Sequence, residues 1–200
     1  MESVIKQPLN AANLYIISGC NGAGKTTASY TVLPEILDCR EFVNADEIAR
    51  GLSPFNPESV SIEAGRLMLQ RIEYLLNRNI SFSIETTLAT KSYVNLVRRA
   101  QAKGYRVGII FFWLHTPELA VQRVAERVCH GGHNIPEEII RRRYVAGISN
   151  LFRLFIPEAD YCIIYDNTKQ PRQKVASYQK GALPVIANEE LYKKLIAYVK

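Results

Sequence analysis

The sequence is short of the features that mark secreted and membrane-bound proteins. Its four cysteines include no Cys-x-x-Cys pair and follow no regular spacing, which predicts reduced, mostly buried thiols rather than disulfides. The longest apolar run, 107–114, is far below the roughly 20 residues that cross a bilayer. The N-terminus lacks a basic region followed by a long apolar core. We therefore expect a soluble, unexported, cytoplasmic protein with no membrane partner.

The chain also lacks long charge runs and low-complexity segments. Of its 200 residues, 48% are apolar and 22% are charged, which suits one compact domain over residues 1–200. Lysine and arginine number 25 against 19 acidic residues, giving a net charge of +6. This mild excess is typical of proteins that bind polyanionic ligands such as nucleotides or nucleic acid. The arginine clusters are short and lie in segments with helical periodicity, so nucleic acid is not the favoured partner.

One segment that is present indicates a ligand. Residues 19–26 read Gly-Cys-Asn-Gly-Ala-Gly-Lys-Thr and match the Gly-x4-Gly-Lys-Ser/Thr phosphate-binding loop. Its glycines let backbone N–H groups curl around a triphosphate, Lys25 adds a charge toward the β- and γ-phosphates, and Thr26 offers a hydroxyl to Mg²⁺. The predicted cofactors are ATP and Mg²⁺. The predicted nucleotide-binding residues in this segment are Gly19, Asn21, Gly22, Ala23, Gly24, Lys25, Thr26 and Thr27.

Apolar runs alternate with amphipathic segments along the chain. Strands are predicted at 14–18, 41–44, 81–86, 106–114 and 161–165, helices at 25–37, 57–77, 91–103, 117–127, 136–155 and 189–199, and a hairpin at 174–186. This alternation predicts an α/β protein. Together with the phosphate-binding loop it predicts the three-layer P-loop NTPase fold, kinase-like, with a mostly parallel central sheet and a helical lid.

Polar residues follow the predicted strands, where open parallel sheets bind their ligands. Asp46 follows the second strand, and Glu85 and Thr86 end the third. Carboxylates beside Lys25 suit phosphoryl transfer, because one can accept a proton from an attacking hydroxyl and another can orient the acceptor. Asp46 could instead cap a helix, and Glu85 could make a structural hydrogen bond.

The segment from about 120 to 145 has the character of a lid. Arg123 and Arg127 lie one helical turn apart, a Gly-Gly pair follows, and Arg141–Arg143 stand on the next helix. Planar guanidinium groups from both sides would stabilise the charge that spreads over a transferred phosphoryl group. Each arginine could also belong to a solvated helix face.

Several blocks resemble the zeta-toxin-like P-loop kinases, in particular their short bacterial branch. The resemblance covers nearly the whole chain and rests on residues 19–26, Phe-Val-Asn-Ala-Asp at 42–46, Ala-Gly-Arg at 64–66, Ser-Phe-Ser-Ile-Glu-Thr-Thr-Leu at 81–88, Gly-Tyr at 104–105, Arg-Val-Ala-Glu-Arg-Val at 123–128, Gly-Gly-His-Asn-Ile-Pro at 131–136 and Tyr-Asp-Asn at 165–167.

The resemblance implies an ATP- and Mg²⁺-dependent kinase. In the characterised toxins the acceptor is the 3′-hydroxyl of UDP-N-acetylglucosamine. By similarity, Asp46 is the general base, Glu85 and Thr86 bind the acceptor, and Asn167 lies by the adenine. Arg127 and one of Arg141–Arg143, for which we take Arg142, would reach the γ-phosphate. A toxin of this kind also has an antitoxin, and here it would be separately encoded.

The chain departs from the family on the acceptor side. The toxins use an arginine shortly after the strand-three glutamate, where this sequence has Leu88, Ala89, Thr90 and Lys91. Lysine cannot copy a bidentate arginine contact. Arg66 is the other candidate for binding the acceptor, and it could equally be an ordinary surface charge.

The sequence excludes two other classes of nucleotide-binding protein and leaves two open. A transport-type ABC ATPase needs a Leu-Ser-Gly-Gly signature and a GTPase needs Asn-Lys-x-Asp, and the sequence has neither. A polynucleotide or other metabolite kinase of the same architecture stays open. So does an ATP-binding regulatory module with little turnover.

Overall fold

The structure is a computed structural model that describes residues 11–129, 131–132 and 134–199. In those ranges the strands are β1 (Asn13–Gly19), β2 (Phe42–Val43), β3 (Phe82–Thr86), β4 (Arg106–Trp113), β5 (Tyr161–Asp166), β6 (Gln173–Gln179) and β7 (Val185–Ile186). The helices are α1 (Lys25–Glu35), α2 (Ala45–Leu52), α3 (Ser61–Asn77), α4 (Tyr93–Ala102), α5 (Pro117–Cys129), α6 (Glu137–Asn150) and α7 (Glu189–Ile196).

The seven described strands form one sheet in the order β2-β3-β1-β4-β5-β6-β7. The first five are parallel, and β6 and β7 run antiparallel to their neighbours. The α/β class with a mostly parallel central sheet is therefore confirmed. The single-domain prediction over 1–200 includes residues 1–10, 130, 133 and 200, which lie outside the described residues.

The centre of the sheet explains why its strands are apolar throughout. Strand β1 lies between β3 and β4, all seven of its residues are buried, and Ile16 pairs with Ile84 on one side and Ile109 on the other. Strand β4 is buried along its length except at Arg106. Helices cover both faces of such a sheet, so its central strands lack alternating polar residues.

The carboxyl ends of these strands fix where the phosphate-binding loop begins. Gly19 ends β1 with φ +139°, and a Cβ there would lie 2.1 Å from the carbonyl oxygen of Phe112 in β4. Only glycine permits this approach. The loop therefore leaves the sheet at its centre, where β1 touches β4.

Several predicted elements have different boundaries in the structure. The predicted second strand shrinks to two residues, and α2 begins immediately after Asn44. The helix predicted over 57–77 is a 3₁₀ turn at Pro57–Val60 followed by α3. The helix predicted over 136–155 is α-helical to Asn150 and ends in a π-helical turn at Leu151–Phe155.

The C-terminal hairpin and helix are present as predicted, except that α7 ends at Ile196 rather than at 199. Strands β6 and β7 pair antiparallel, and the side chain of Asn188 caps α7 by accepting from the Leu191 N–H at 3.0 Å. After α7, the ring of Tyr198 packs edge-on against Tyr144 of α6. No helix in the described part of the chain combines the length and apolarity needed to cross a membrane.

Candidate active site

The phosphate-binding loop lies between β1 and α1. Gly22 and Gly24 both take left-handed φ angles of +75°, which L-residues with a Cβ adopt at a cost. Gly24 is the N-cap of α1, and no side chain caps the helix there. The N-terminal N–H groups and dipole of α1 therefore face the loop, as an anion-binding site requires.

Lys25 is buried against this loop. It is 8% exposed, and its Nζ donates a hydrogen bond to the carbonyl of Cys20 at 3.0 Å. The same ammonium lies 3.8 Å from Oε1 of Glu85. The cation is held between a loop carbonyl and a carboxylate, within reach of a phosphate seated on the loop.

Glu85, near the end of β3, links three parts of the site. Its Oε2 accepts hydrogen bonds from Oγ1 of Thr26 at 2.8 Å and from Nδ2 of Asn44 at 3.0 Å. Burial raises the pKa of Glu85 above its ordinary value, while the nearby Lys25 ammonium and the Thr26 hydroxyl oppose that shift. The structural hydrogen bonds that the sequence left open for Glu85 do exist, and they come from the phosphate-binding loop at Thr26 and from Asn44.

Asp46 stands in the first turn of α2. The sequence left open whether Asp46 caps this helix, and the structure gives that role to Asn44, whose Oδ1 accepts from the Asp46 N–H at 2.8 Å. Asp46 is exposed and lines the same cleft as Lys25 and Glu85. Its carboxylate is thus presented to the cleft.

The side chains of Arg141, Arg142 and Arg143 point in three different directions. Arg143 lines the cleft with Arg127 and Arg123, whereas Arg142 is exposed and does not. Arg141 is paired on the surface with Glu118 and with Glu137. Successive residues of a helix point about 100° apart, so only one of three consecutive arginines can face the cleft. The structure therefore puts Arg143 in the position expected for Arg142.

Asn167 connects the end of β5 to the phosphate-binding loop. Its Nδ2 donates to the carbonyl of Ala23 at 2.8 Å, and it lies 2.9 Å from where a Cβ on Gly24 would stand. The Arg123 guanidinium donates to the carbonyls of Asn167 at 3.0 Å and Thr168 at 2.9 Å. Arg123 thereby ties α5 to this turn.

Thr86 and Arg66, both predicted to bind the acceptor, differ in whether they face the cleft. Thr86 lines the cleft, and its Oγ1 accepts from the Leu88 N–H at 3.1 Å. Arg66 is exposed and outside the cleft lining, because it lies about 140° around α3 from Ser61, which faces the cleft. Lys91 is likewise exposed and outside the lining.

A single cleft of about 550 Å³ joins these groups. Its lining includes Asn21, Gly22, Gly24, Lys25, Thr26, Thr27, Asn44, Ala45, Asp46, Ser61, Met68, Glu85, Thr86, Thr87, Thr90, Tyr93, Arg123, Arg127, Ile135 and Arg143. Gly19 and Ala23 lie outside that lining; Gly19 makes the close contact with β4, and Ala23 is a fully buried residue of the loop itself. Of the predicted lid, residues 130 and 133 lie outside the described residues.

Some lining residues were not predicted. Asn44 had a readable signal, because asparagine is a favoured N-cap and two acidic residues follow it in the first turn of α2. Ser61, Met68 and Tyr93 had none. Helical periodicity gives their helices but not which face turns to the cleft.

The oxygen atoms of Thr26 and Glu85 suit a magnesium ion whose other ligands would come from a bound nucleotide. The described residues contain no cluster of three or more His, Cys, Asp or Glu side chains placed to hold a metal. Thr26 Oγ1 and the Glu85 carboxylate lie side by side, and Mg²⁺ favours such oxygen ligands together with substrate phosphates. Thr26 remains the predicted ligand, with Glu85 beside it.

Solved structures with this architecture include a chain of a toxin-antitoxin system and a putative kinase. A crystal structure of the AvrRxo1-ORF1:AvrRxo1-ORF2 complex with sulphate ions matches with a TM-score of 0.74 at 19% identity over 92% of this chain. This chain spans only 63% of that one. A structure from the PezAT chromosomal toxin-antitoxin system of Streptococcus pneumoniae gives 0.65 at 18% identity, covering 96% of this chain and 88% of that one. A putative kinase from Chloroflexus aurantiacus gives 0.54 at 16% identity, covering 68% and 78%. These matches establish the P-loop kinase fold.

Sequence comparison adds the family. A protein from Haemophilus influenzae is 29% identical over 126 residues, which is 63% of this chain and 88% of the relative. The zeta toxin family model matches residues 3–170. Since that match covers most of the chain, including the phosphate-binding loop, Asp46, Glu85 and the arginine-bearing helices, the chain belongs to the zeta toxin family of P-loop kinases.

Proposed function

We propose that this protein transfers the γ-phosphate of ATP to a hydroxyl group of a small molecule. The observation that carries the proposal is one cleft whose lining combines Lys25 and Thr26 of the phosphate-binding loop with the carboxylates of Asp46 and Glu85. A nucleotide-binding module without chemistry needs only the first pair. The second pair supplies the groups that a kinase uses on its acceptor.

The donor half suits a nucleoside triphosphate. The uncapped N-terminus of α1 and the buried ammonium of Lys25 face the loop where the phosphates would sit. An AvrRxo1-ORF1:AvrRxo1-ORF2 structure with ATP shares the fold with a TM-score of 0.72 at 20% identity. ATP is therefore the donor we assign. A magnesium ion at Thr26 would neutralise charge on the phosphates.

Asp46 acts as the general base. Its carboxylate accepts the proton of the attacking hydroxyl while the hydroxyl oxygen bonds to the γ-phosphorus. The bond from that phosphorus to the β–γ bridging oxygen breaks, and ADP leaves. Glu85, already hydrogen-bonded to Thr26 and Asn44, orients the groups at the junction between donor and acceptor. These two hydrogen bonds fix the start of α2, which carries the base Asp46, relative to the phosphate-binding loop.

Arg127 and Arg143 stabilise the transferred group. They enter the cleft from different helices, α5 and α6. Gly132 packs on Arg127, since a Cβ on that glycine would lie 2.5 Å from Cγ of Arg127. Guanidinium groups delivered from both sides match the spread of charge over the γ-phosphoryl oxygens. We assign Arg143 the role that the sequence gave to Arg142.

The family suggests both an acceptor and a protein partner for this protein. UDP-N-acetylglucosamine is the first nucleotide sugar to test because of the family, and an antitoxin is the first protein partner to seek. The PezAT structure is described as a toxin-antitoxin system.

The decisive experiment combines two variants with two measurements. ATP binding is measured by calorimetry, and transfer is measured by mass spectrometry after incubation with ATP, Mg²⁺ and a panel of UDP-sugars, nucleosides and oligonucleotides. Lys25→Ala should weaken ATP binding and abolish transfer, whereas Asp46→Asn should bind ATP normally and lose transfer about 10²-fold or more. Glu47→Gln, whose side chain pairs with Arg50 outside the cleft lining, is the matched control.

The outcomes separate the alternatives. If an oligonucleotide gains phosphate and no small molecule does, the polynucleotide kinase replaces the small-molecule kinase. If ATP binds tightly and no acceptor gains phosphate, the protein is a regulatory module and the proposal fails.

A further inference from the structure

The hydroxyl of Tyr144 is buried at the end of β4. Tyr144 lies on α6 and is 1% exposed. Its hydroxyl donates a hydrogen bond to the carbonyl of Leu114 at 2.6 Å and accepts one from the indole Nε1–H of Trp113 at 2.9 Å. Trp113 is the last residue of β4, and Leu114 follows it. One side chain of α6 therefore satisfies two polar groups at the end of a central strand.

The proposed reaction does not use this hydroxyl. Tyr144 lies outside the lining of the cleft. Burial raises the pKa of its phenol above the ordinary value, so the group stays protonated and donates a hydrogen bond. Any contribution of Tyr144 to the site must therefore come through the position of α6.

Tyr144 directly follows Arg143, the residue of α6 that lines the cleft. Successive residues of a helix differ by about 100° in direction and about 1.5 Å in height. A helix that is held at β4 through Tyr144 cannot rotate or slide without turning Arg143 away from the cleft. Because hydrogen bonds have narrow ranges of distance and angle, those of Tyr144 define that direction more sharply than apolar packing alone.

The same end of β4 contacts the start of the phosphate-binding loop. Gly19 pairs with Phe112, two residues before Leu114, and its backbone approaches β4 too closely for any side chain. Tyr144 thus attaches α6 to the strand end that also holds the loop. One strand therefore fixes both the loop for the phosphates and the helix that carries Arg143.

We infer that Tyr144 is a positioning residue, which holds α6 against the end of β4 so that Arg143 faces the γ-phosphate. The inference rests on the role that the proposed function gives to Arg143. It assigns Tyr144 no contact with ATP or with the acceptor. Because a guanidinium binds phosphate oxygens directly, losing its position should weaken the binding of a nucleotide with a γ-phosphate and not of one without it.

The test compares the affinities of the full chain for two nucleotides. Calorimetry measures the dissociation constants of ADP and of the β,γ-imido analogue of ATP, which carries a γ-phosphate and is not transferred, both with Mg²⁺. Tyr144→Phe removes the hydroxyl and keeps the ring, which packs edge-on against Tyr198. It should weaken binding of the imido analogue at least about fivefold and leave binding of ADP within about twofold.

Tyr105→Phe is the matched control. Tyr105 is 3% exposed and lies at the opposite end of β4, directly before its first residue. Its hydroxyl is 2.9 Å from the carbonyl oxygens of Leu75 and Ile80. Since both variants lose a buried hydrogen bond to a backbone carbonyl, urea denaturation should show comparable losses of stability. Only Tyr144→Phe should change the affinity for the imido analogue.

Two further measurements separate positioning from ordinary structural support. Adding Tyr144→Phe to Arg143→Ala should weaken binding of the imido analogue by no more than about twofold beyond Arg143→Ala alone, since the effects of coupled residues do not add. Trp113 is the sole tryptophan of the chain. Because its indole N–H loses its acceptor in Tyr144→Phe, the wavelength of its fluorescence should shift in that variant and not in Tyr105→Phe.

Several results would overturn the inference. Tyr144 does not act through Arg143 if Tyr144→Phe weakens both nucleotides equally or neither, or if its effect multiplies with that of Arg143→Ala. Unshifted fluorescence of Trp113 contradicts the hydrogen bond itself. None of these measurements needs an acceptor. A chain that binds the imido analogue as expected and yet transfers no phosphate therefore defeats the proposed reaction and leaves the role of Tyr144 standing.

Discussion

At the scale of single residues, Glu85 decides how the site is held together. Its carboxylate is 11% exposed and receives hydrogen bonds from the phosphate-binding loop and from the N-cap of α2. The cost of burying this charge appears as a raised pKa. A group that costs stability yet joins both halves of the cleft is typical of a functional site.

Replacing this carboxylate should change stability in a pH-dependent way. Because burial raises the folded-state pKa of Glu85, its stabilising contribution is present below the unfolded pKa and is lost as pH rises through the folded pKa. Glu85→Gln should therefore gain free energy of unfolding relative to the natural chain as the pH rises above the ordinary glutamate pKa of about 4.3, while losing phosphoryl transfer. Urea denaturation at a series of pH values from acidic to neutral measures the difference.

The control for this experiment is Glu63→Gln, because Glu63 is exposed in the first turn of α3. It should show a much smaller change with pH. A constant difference between Glu85→Gln and the natural chain across the range would contradict the pKa shift of Glu85.

The three consecutive arginines of α6 allow a second test at this scale. Arg143→Ala should reduce transfer about 10²-fold or more, because it removes a guanidinium from the cleft. Arg142→Ala should stay within about twofold, because its side chain is exposed and outside the lining. Steady-state kinetics with saturating ATP measures both. If Arg142→Ala were the damaged variant, the assignment of Arg143 would be wrong.

At the scale of elements, α6 packs directly on the loop that follows β3. A Cβ on Gly147 would lie 2.4 Å from the carbonyl oxygen of Thr87, so the helix and the loop touch through their backbones. One turn later, Nδ2 of Asn150 donates to the carbonyls of Leu88 at 2.8 Å and Ala89 at 3.1 Å. The helix that carries Arg143 therefore also fixes the loop after β3.

Separating α6 from this loop should affect both stability and transfer. Gly147→Ala must displace a backbone oxygen that cannot swing aside, and overpacking of this kind costs about 1–3 kcal/mol. Gly65→Ala in α3 meets no atom within 4 Å and should instead stabilise the protein by about 0.5–1 kcal/mol. Thermal denaturation and transfer assays measure the pair. A Gly147→Ala protein as stable and active as the natural chain would contradict the coupling.

The elements also show how far the sequence predicts this structure. Strands β1 and β4 are predictable because unbroken apolar runs have no place except a buried strand. The start of α5 is predictable because Thr116 caps it, accepting from the Leu119 N–H at 3.2 Å. The phosphate-binding loop is a local pattern, so its place between β1 and α1 follows directly from sequence.

The parts that escaped prediction depend on contacts between distant residues. Arg143 faces the cleft because of how α6 packs on the loop after β3, and neither segment reveals this alone. Asn44 takes the cap that was open to Asp46 because α2 begins directly after β2. The part of the cleft lined by Ser61, Met68 and Tyr93 appears only when α3 and α4 are brought together.

At the scale of the whole molecule, one chain of hydrogen bonds joins the ends of three segments. Arg123 of α5 holds the carbonyls of Asn167 and Thr168 after β5, and Asn167 in turn holds the carbonyl of Ala23 in the phosphate-binding loop. Residues 144 positions apart are thereby fixed at the nucleotide site. These hydrogen bonds couple the conformation of the phosphate-binding loop to the end of β5 and to α5.

Removing the hydrogen bond from Asn167 to Ala23 should lower the affinity for ATP more than it lowers the free energy of unfolding. Asn167→Ala removes the bond to Ala23 and frees the loop from β5, so ATP affinity should fall about tenfold, which is about 1.4 kcal/mol. ATP at about 100 times its dissociation constant stabilises a protein by about 2.7 kcal/mol, and the variant should lose about half of that gain. Asn95→Ala, exposed on α4, is the control. Thermal shifts with and without ATP measure the effect, and an Asn167→Ala protein that gains as much from ATP as the natural chain would show that the loop holds its shape without β5.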